Sequence, residues 1–431
     1  MKKISHDAKK SVLAIKGGKP TMSAFLPLVH TAENEEAAAA ARVIKKGPLS
    51  GFAGKWDKRF FGGQEVLTLE AEFAKKFKVK HSISCNSATS GLHMAIVALG
   101  IGPGDEVIVP PYTMSASATA VLMNGAVPIF ADIDERTFCI DPKSTEKRIT
   151  KRTKAIMVVN LFGQAADFNK LLRIAKKHKL KIIEDNAQGP GAKWNGKYTG
   201  TIGDIGVFSF NVHKTIQTGE GGMVVTDNDK YALRAQLCRN HGEAVVDEMS
   251  NYHEGPIFGC NYRMTEIIAA IARIQLRKLN FLTQKRLALV SRLQKGLADI
   301  PGLTPHYVSP NALCVFYRYA IRIDADKLGL SRDKLVNAMR AEGFKMSKGY
   351  LKPLHLLPVF QQKKAFNNTH FPFNYGGVRP NYSRGICPVA ERMFEKEFTL
   401  TDICQHPYTS KHVDLFLQAL KKVIAHKDEL R

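Results

Sequence analysis

Lys214 stands within residues 207–227, VFSFNVHKTIQTGEGGMVVTD, where one β-prone run leads to the lysine and the adjacent Gly221 and Gly222 open a second. A lysine on a tight connection between two buried strands is poorly placed for a solvated role. Burial disfavours the ammonium form, lowers the pKa and makes the amine a better nucleophile toward a carbonyl. Such lysines form Schiff bases. A candidate acid, Asp185, ends the run KIIED. A carboxylate at the carboxyl end of a parallel strand points into the crevice where open α/β sheets bind ligands. A candidate anion site is NSATS, residues 86–90, between the strand-like HSISC and the helical SGLHMAIVAL. A helix N-terminus offers free N–H groups and partial positive charge, and small side chains let a phosphate approach the backbone. Taken singly, turn and capping roles explain such Asp, Ser and Thr residues equally well.

These residues need elements to position them. From His81 onward, short apolar runs alternate with helical segments: HSISC, EVIVP, VPIFADI, AIMVVNLFG, KIIED, IGVFSF and GMVVTD read as strands. That alternation implies a buried, largely parallel sheet with helices on both faces. SGLHMAIVALG is a helix, with Leu92, Ala95, Ile96 and Leu99 on one face. GIGPGD is a turn, because Pro103 and the strand after it break the context of a nucleotide-binding GxGxxG. A very long helical run begins at Thr265 and bridges two domains. The expected divisions are a mobile basic tail over 1–25, a large domain over 26–285 and a smaller C-terminal domain over 286–431. LSGFAGKWDKRFFGG, ahead of the sheet, reads as a loop either structural or at the active site.

Composition narrows the classes. At 431 residues the chain is long enough for a large core and two domains. The formal net charge of +24 admits nucleic-acid binding, but the lysines are spread along helical segments and no nucleic-acid motif accompanies them. Solvated faces or attraction of an anionic substrate account for the charge. No apolar run approaches the roughly 20 residues of a membrane span, and the basic start lacks the apolar core of a secretory signal. KDEL near the end is followed by Arg431, so it does not read as a retention signal. Seven scattered cysteines without a CxxC pair suggest no zinc or other metal and no redox motif, and suit a reducing cytoplasm.

SFxxxKxxxxGEGG, read from Ser209 to Gly222, resembles the DegT/DnrJ/EryC1/StrS family of sugar aminotransferases, and the resemblance runs from about Leu49 to the end of the chain. It implies the α/β fold type I architecture of enzymes that use pyridoxal 5′-phosphate: a large cofactor domain with a mostly parallel mixed sheet, and a smaller C-terminal α/β domain. Lys214 is then the catalytic lysine that carries the cofactor. EDNAQGPGA matches the family's EDxAQxxGA, which implies Asp185 at the ring nitrogen and Gln188 near the phenolic oxygen; Asn186 stands where a small residue is usual. Where the family reads NGTxAL this chain reads SATSGL, so Ala88 and Thr89 fall on the phosphate-binding pair, with Ser209 implied as a further phosphate partner. Met114 takes the place of an aromatic residue stacked on the cofactor ring, a thioether also packing against a π face; a core methionine is the other reading. NYRMTE, residues 261–266, resembles NYRMSE, whose Asn reaches the phosphate of the neighbouring subunit. Asn261 thus implies a two-fold homodimer with shared sites. GYLKPLHLLPVF resembles the branch acting on keto-cyclitols, with Tyr350, Lys352 and His355 as candidates to meet substrate, although His355 is more often structural at such a site.

The implied activity is transfer of an amino group from glutamate or glutamine to a keto-sugar, nucleotide-linked, or a keto-cyclitol. The rivals are a sugar dehydratase on the same scaffold, disfavoured because Lys214 is present, and a DNA-binding regulator, for which no helix-turn-helix is visible.

Overall fold

In the computed structural model, which describes residues 11–23, 29–249, 252, 255 and 257–430, the apolar runs become a seven-stranded sheet. Its strands are β1 (His81–Cys85), β2 (Glu106–Val109), β3 (Val127–Phe130), β4 (Thr153–Val159), β5 (Lys181–Asp185) and, beyond a short hairpin of β6 (Lys193–Trp194) and β7 (Lys197–Tyr198), β8 (Ile205–Ser209) and β9 (Gly222–Thr226). The order is β1-β9-β8-β5-β4-β2-β3. Pairings from β8 through β5, β4 and β2 to β3 are parallel, whereas β9 runs antiparallel to both β1 and β8. The expected largely parallel sheet is therefore present, with one reversed strand. An apolar run specifies burial and carries no information about direction.

Both faces are covered, as the all-apolar strands require. The helices of this half are α1 (Asn34–Lys46), α2 (Gln64–Phe77), α3 (Ala88–Ala98), α4 (Ala116–Met123), α5 (Pro142–Lys147), α6 (Phe168–His178), α7 (Asp229–Arg239) and α8 (Glu266–Leu297). Successive strand residues alternate between faces. Val207 and Val224 accordingly join the core containing residues of α3 and α7, while Phe208, Met223 and Val225 join the one containing residues of α2 and α8. α3 is apolar nearly all round and buried from Ser90 to Ala98, as a helix inside a large core should be. Ser87 caps it, its hydroxyl accepting from Ser90 N at 3.1 Å.

α8 bridges two cores. Leu276, Leu279 and Leu282 pack with α2, and Leu289, Val290, Leu293 and Leu297 pack in a second core. That second core is built on an antiparallel sheet of β10 (Leu303–Pro305), β12 (Tyr319–Ile323) and β13 (Phe398–Thr401), with helices Arg332–Ala341 and Ser410–Ala425; β11 (Ala312–Leu313) pairs with β6 instead.

Two features depart from the expected domain map. Residues 11–23 are docked rather than part of a tail: Leu13 is fully buried in the second core, and the Glu342 carboxylate accepts from Ala14 N, Thr21 N and Thr21 Oγ1. Lys422 completes the ion pair at 2.9 Å. The remaining residues assigned to the tail, 1–10 and 24–25, lie outside the described residues. Second, Leu354, Phe360, Phe373, Tyr382 and Cys387 pack into the core of the large sheet, so this part of the C-terminal segment returns to the first half. Tyr382 donates to Pro128 O at 2.8 Å. Among the described residues no helix is long and apolar enough to cross a membrane.

Candidate active site

Asp185 ends β5, as expected, and is buried. Its carboxylate accepts from Ser117 Oγ at 2.7 Å and from Ala187 N at 3.2 Å. No ion pair involving it is found among the described residues, and burial pushes its pKa up, against the opposing effects of the Ser117 hydroxyl, the Ala187 N–H and the nearby Lys214. A buried carboxylate held by one hydroxyl and one N–H is poised for a cationic partner.

Lys214 lies in the connection from β8 to β9, which is longer than the tight link the sequence suggested. Residues 210–221 fold back on themselves through Phe210 N to Gly221 O at 2.9 Å, Val212 N to Gly219 O at 2.8 Å and Thr218 N to Phe210 O at 2.8 Å. The lysine amine sits 4.8 Å from the centroid of the Tyr317 ring. Burial lowers its pKa to about 8; Asp185 acts in the opposite sense, and the Arg318 charge adds to the lowering. The amine pKa is lowered as expected for a lysine in this position, and the Asp185 charge acts on it.

Gln188 lies in the loop after β5. Its Oε1 accepts from Phe162 N at 2.8 Å and its Nε2 donates to the Tyr350 hydroxyl at 3.0 Å. Tyr350 N in turn donates to the Tyr112 hydroxyl at 2.9 Å. Asn186 has a structural reason to be larger than usual: its amide donates to Gly189 O and Thr199 O and accepts from Asn160, pinning the loop after β5. Glu184 secures the same loop by accepting from the N–H groups of Gly200, Ile202 and Gly203.

Three strands meet at the candidate anion site. Cys85, Gly222 and Ser209 lie side by side in register. Ser209 is buried and its hydroxyl accepts from Asn211 N at 3.3 Å. Ala88 and Thr89 form the first turn of α3, with Thr89 exposed. A Cβ on Gly222 would stand 2.8 Å from Ala88 N, so only glycine lets β9 pass beneath the helix end.

Met114 is 53% exposed one turn before Ser117, whose N–H donates to Met114 O at 3.3 Å. It is therefore not a core methionine. Asn261 is exposed; its Oδ1 accepts from Arg263 Nε at 2.8 Å and its backbone oxygen from Asn86 Nδ2 at 3.4 Å. His355 is fully buried against Glu391 at 2.8 Å, and Lys352 is exposed. The loop ahead of the sheet is anchored by Arg239, which donates to Phe61 O, and by Asn240, which donates to Ala53 O and Phe60 O.

Ser117, Tyr112, Phe162, Tyr317 and Arg318 are the site residues that sequence reasoning missed. Only Ser117 stood near a residue already singled out, three positions after Met114. The assembled groups fit pyridoxal phosphate: a lysine of lowered pKa, a buried carboxylate held by one hydroxyl and one N–H, and a helix end over a glycine for an anion.

The DegT/DnrJ/EryC1/StrS aminotransferase family model matches residues 55–374. GDP-perosamine synthase of Caulobacter vibrioides is 41% identical over 299 residues, covering 69% of this chain and 79% of that one. Among solved structures, the aminotransferase from Psychrobacter cryohalolentis superposes with a TM-score of 0.80 at 32% identity, covering 94% of this chain and 99% of that one. DesV of S. venezuelae, solved in complex with a ketimine intermediate, gives 0.76 at 31% identity over 90% and 94%. On this footing the chain belongs to the DegT/DnrJ/EryC1/StrS family and is a pyridoxal-phosphate-dependent aminotransferase.

Proposed function

We propose that this enzyme moves the amino group of glutamate or glutamine onto a ring ketone, of a nucleotide-linked keto-sugar or a keto-cyclitol, in the making of amino sugars, polysaccharides or secondary metabolites. The observation that carries the reading is the buried Asp185 carboxylate, held by Ser117 and Ala187 N–H and close enough to Lys214 to raise its amine pKa. The name of the Caulobacter relative supports a nucleotide-linked acceptor, and the net charge of +24 suits an anionic one.

In this reading Asp185 holds a proton on the cofactor's ring nitrogen. Ala88, Thr89 and Ser209 take its phosphate, Gln188 approaches its phenolic oxygen and Met114 covers its ring face. The bound cofactor supplies an electron sink for the carbon that bears the amino group. Lys214 Nζ, neutral above a pKa of about 8, takes and returns the proton at that carbon. The Tyr350–Gln188–Phe162 chain fixes the wall of the crevice. The test is a two-stage titration of the purified enzyme. Glutamate or glutamine should change the absorbance of the bound cofactor, and a ring ketone should then restore it and emerge aminated in the mass spectrum. A spectrum that responds to neither donor would sink the reading.

We also infer a homodimer in which Asn261 reaches the partner's phosphate site, a reading supported by its exposed position beside the end of α3. Loss of one hydrogen bond to a charged group costs on the order of 1.5–3 kcal/mol, or about tenfold to a hundredfold in cofactor affinity. Mixing Lys214→Ala with Asn261→Ala protein under subunit exchange should create one intact site per heterodimer. That site should work at low pyridoxal phosphate, where both parents fail. Proven heterodimers without recovery would assign Asn261 to its own subunit.

A further inference from the structure

All seven cysteines are free and six are buried; Cys260 alone is partly exposed. Its neighbour is Cys238, in the last turn of α7. Cys260 N donates to Cys238 O at 2.7 Å. Backbone bond lengths then keep the two Cα atoms within about 6.6 Å, inside the span of roughly 4.4–6.8 Å that disulfides bridge. The Cys238 thiol, donating to the Cys260 sulfur, holds Cys260 below the ordinary thiol range; burial opposes it, the Tyr262 hydroxyl and the His241 ring add to it, and Glu243 opposes it. Cys260 and Tyr262 share one side of their extended segment, with Tyr262 also bonded to His93 Nδ1 at 3.0 Å, while Asn261 between them is exposed. A partly exposed thiol with thiolate character and a second thiol in reach is the arrangement of a reversible oxidation site.

We propose that Cys238 and Cys260 are a modification site, closed to a disulfide by a two-electron oxidant of the peroxide class, and that closure loosens the anion-binding end of α3. The Cys260 sulfur attacks one oxygen of hydrogen peroxide; an S–O bond forms, the O–O bond breaks and hydroxide leaves, taking up the thiol proton as water. The Cys238 sulfur then attacks the Cys260 sulfur. The S–S bond forms, the S–O bond breaks, and the released hydroxide takes the Cys238 proton as a second water. Two thiols are oxidised by one electron each and the peroxide is reduced by two. The link to α3 is direct: Asn86 N donates to Tyr262 O at 2.9 Å and Asn86 Nδ2 to Asn261 O at 3.4 Å, and Asn86 immediately precedes the cap of α3. Drawing the sulfurs to a bond of about 2.05 Å shifts the segment that carries both acceptors. This second half rests on the placement of the cofactor phosphate at α3; the first half does not.

The experiment titrates the holoenzyme with hydrogen peroxide, quenches with an alkylating agent and maps peptides without reduction. The Cys238–Cys260 cross-link should be the first product and should vanish with dithiothreitol. Cys238→Ser protein should instead show a dimedone-reactive sulfenic acid at Cys260. Oxidised wild-type protein should release cofactor about threefold to tenfold faster than reduced protein, the worth of one net hydrogen bond, and Cys260→Ser protein treated alike should not change. First oxidation at any other cysteine, or over-oxidation of Cys260 without pairing, overturns the site. A mapped disulfide with unchanged cofactor release overturns the link to α3 while leaving the function of Lys214 and Asp185 untouched.

Discussion

Lys214→Ala protein will fold and still take up pyridoxal phosphate, without a covalent bond to it, and will lose transamination by about 10²–10⁴-fold, the contribution of a positioned general base. Borohydride reduction of the wild-type holoenzyme followed by peptide mapping should place the label on Lys214. A label elsewhere sinks the assignment. The lowered amine pKa adds a pH signature. Below about 8 the amine is protonated and cannot attack a carbonyl, so covalent loading of cofactor-free protein should fall with pH there. Above about 8 loading should level off, whereas an unperturbed lysine would continue to gain up to about 10.4. Burial, with a smaller contribution from the Arg318 charge, places the plateau at the lower value, because Asp185 acts in the other direction.

The second large effect belongs to Asp185→Asn. The amide is nearly isosteric and can still accept from Ser117, so the fold is retained. It carries no charge, and turnover should fall by about 10²–10³-fold, the scale of losing one preorganised electrostatic partner. The same variant has a readout independent of turnover. The carboxylate raises the Lys214 pKa, so its removal should move the loading plateau of cofactor-free protein below 8. A plateau that stays in place or rises would show that the two groups do not interact as described.

Both of these residues were legible in the sequence because local patterns carry them. KIIED is a strand with an acid at its carboxyl end, and SFxxxKxxxxGEGG sets a lysine and two glycines at fixed offsets. The strands HSISC and KIIED have the bounds read from the sequence, His81–Cys85 and Lys181–Asp185. What could not be read depends on chain crossings that no local period encodes. Ser117 meets Asp185 across 68 residues, and Tyr350 meets Gln188 across 162. Tyr317 and Arg318 sit just before β12, in a half of the molecule whose approach to Lys214 is set by packing along α8. The docking of residues 11–23 was hidden for a related reason: one buried leucine between the exposed Val12 and Ile15 leaves no period, and its anchor, Glu342, is distant in the chain. Asn186 shows the converse case. A departure from the family pattern, uninformative in the sequence, becomes intelligible once its partners Asn160, Gly189 and Thr199 are seen.

The continuous helix α8 has a mechanical consequence. Hinge closure needs a few residues free to change their backbone angles, and along α8 the span between the two cores is hydrogen-bonded helix throughout. The two halves are joined there by a beam rather than a joint, so the crevice does not open and shut by bending this helix. Access for a bulky acceptor falls to the loops and not to a bend in this helix. The same beam couples the halves thermally. Melting either core strips one half of α8 of its packing and exposes the leucines that hold the other, so the halves give way together.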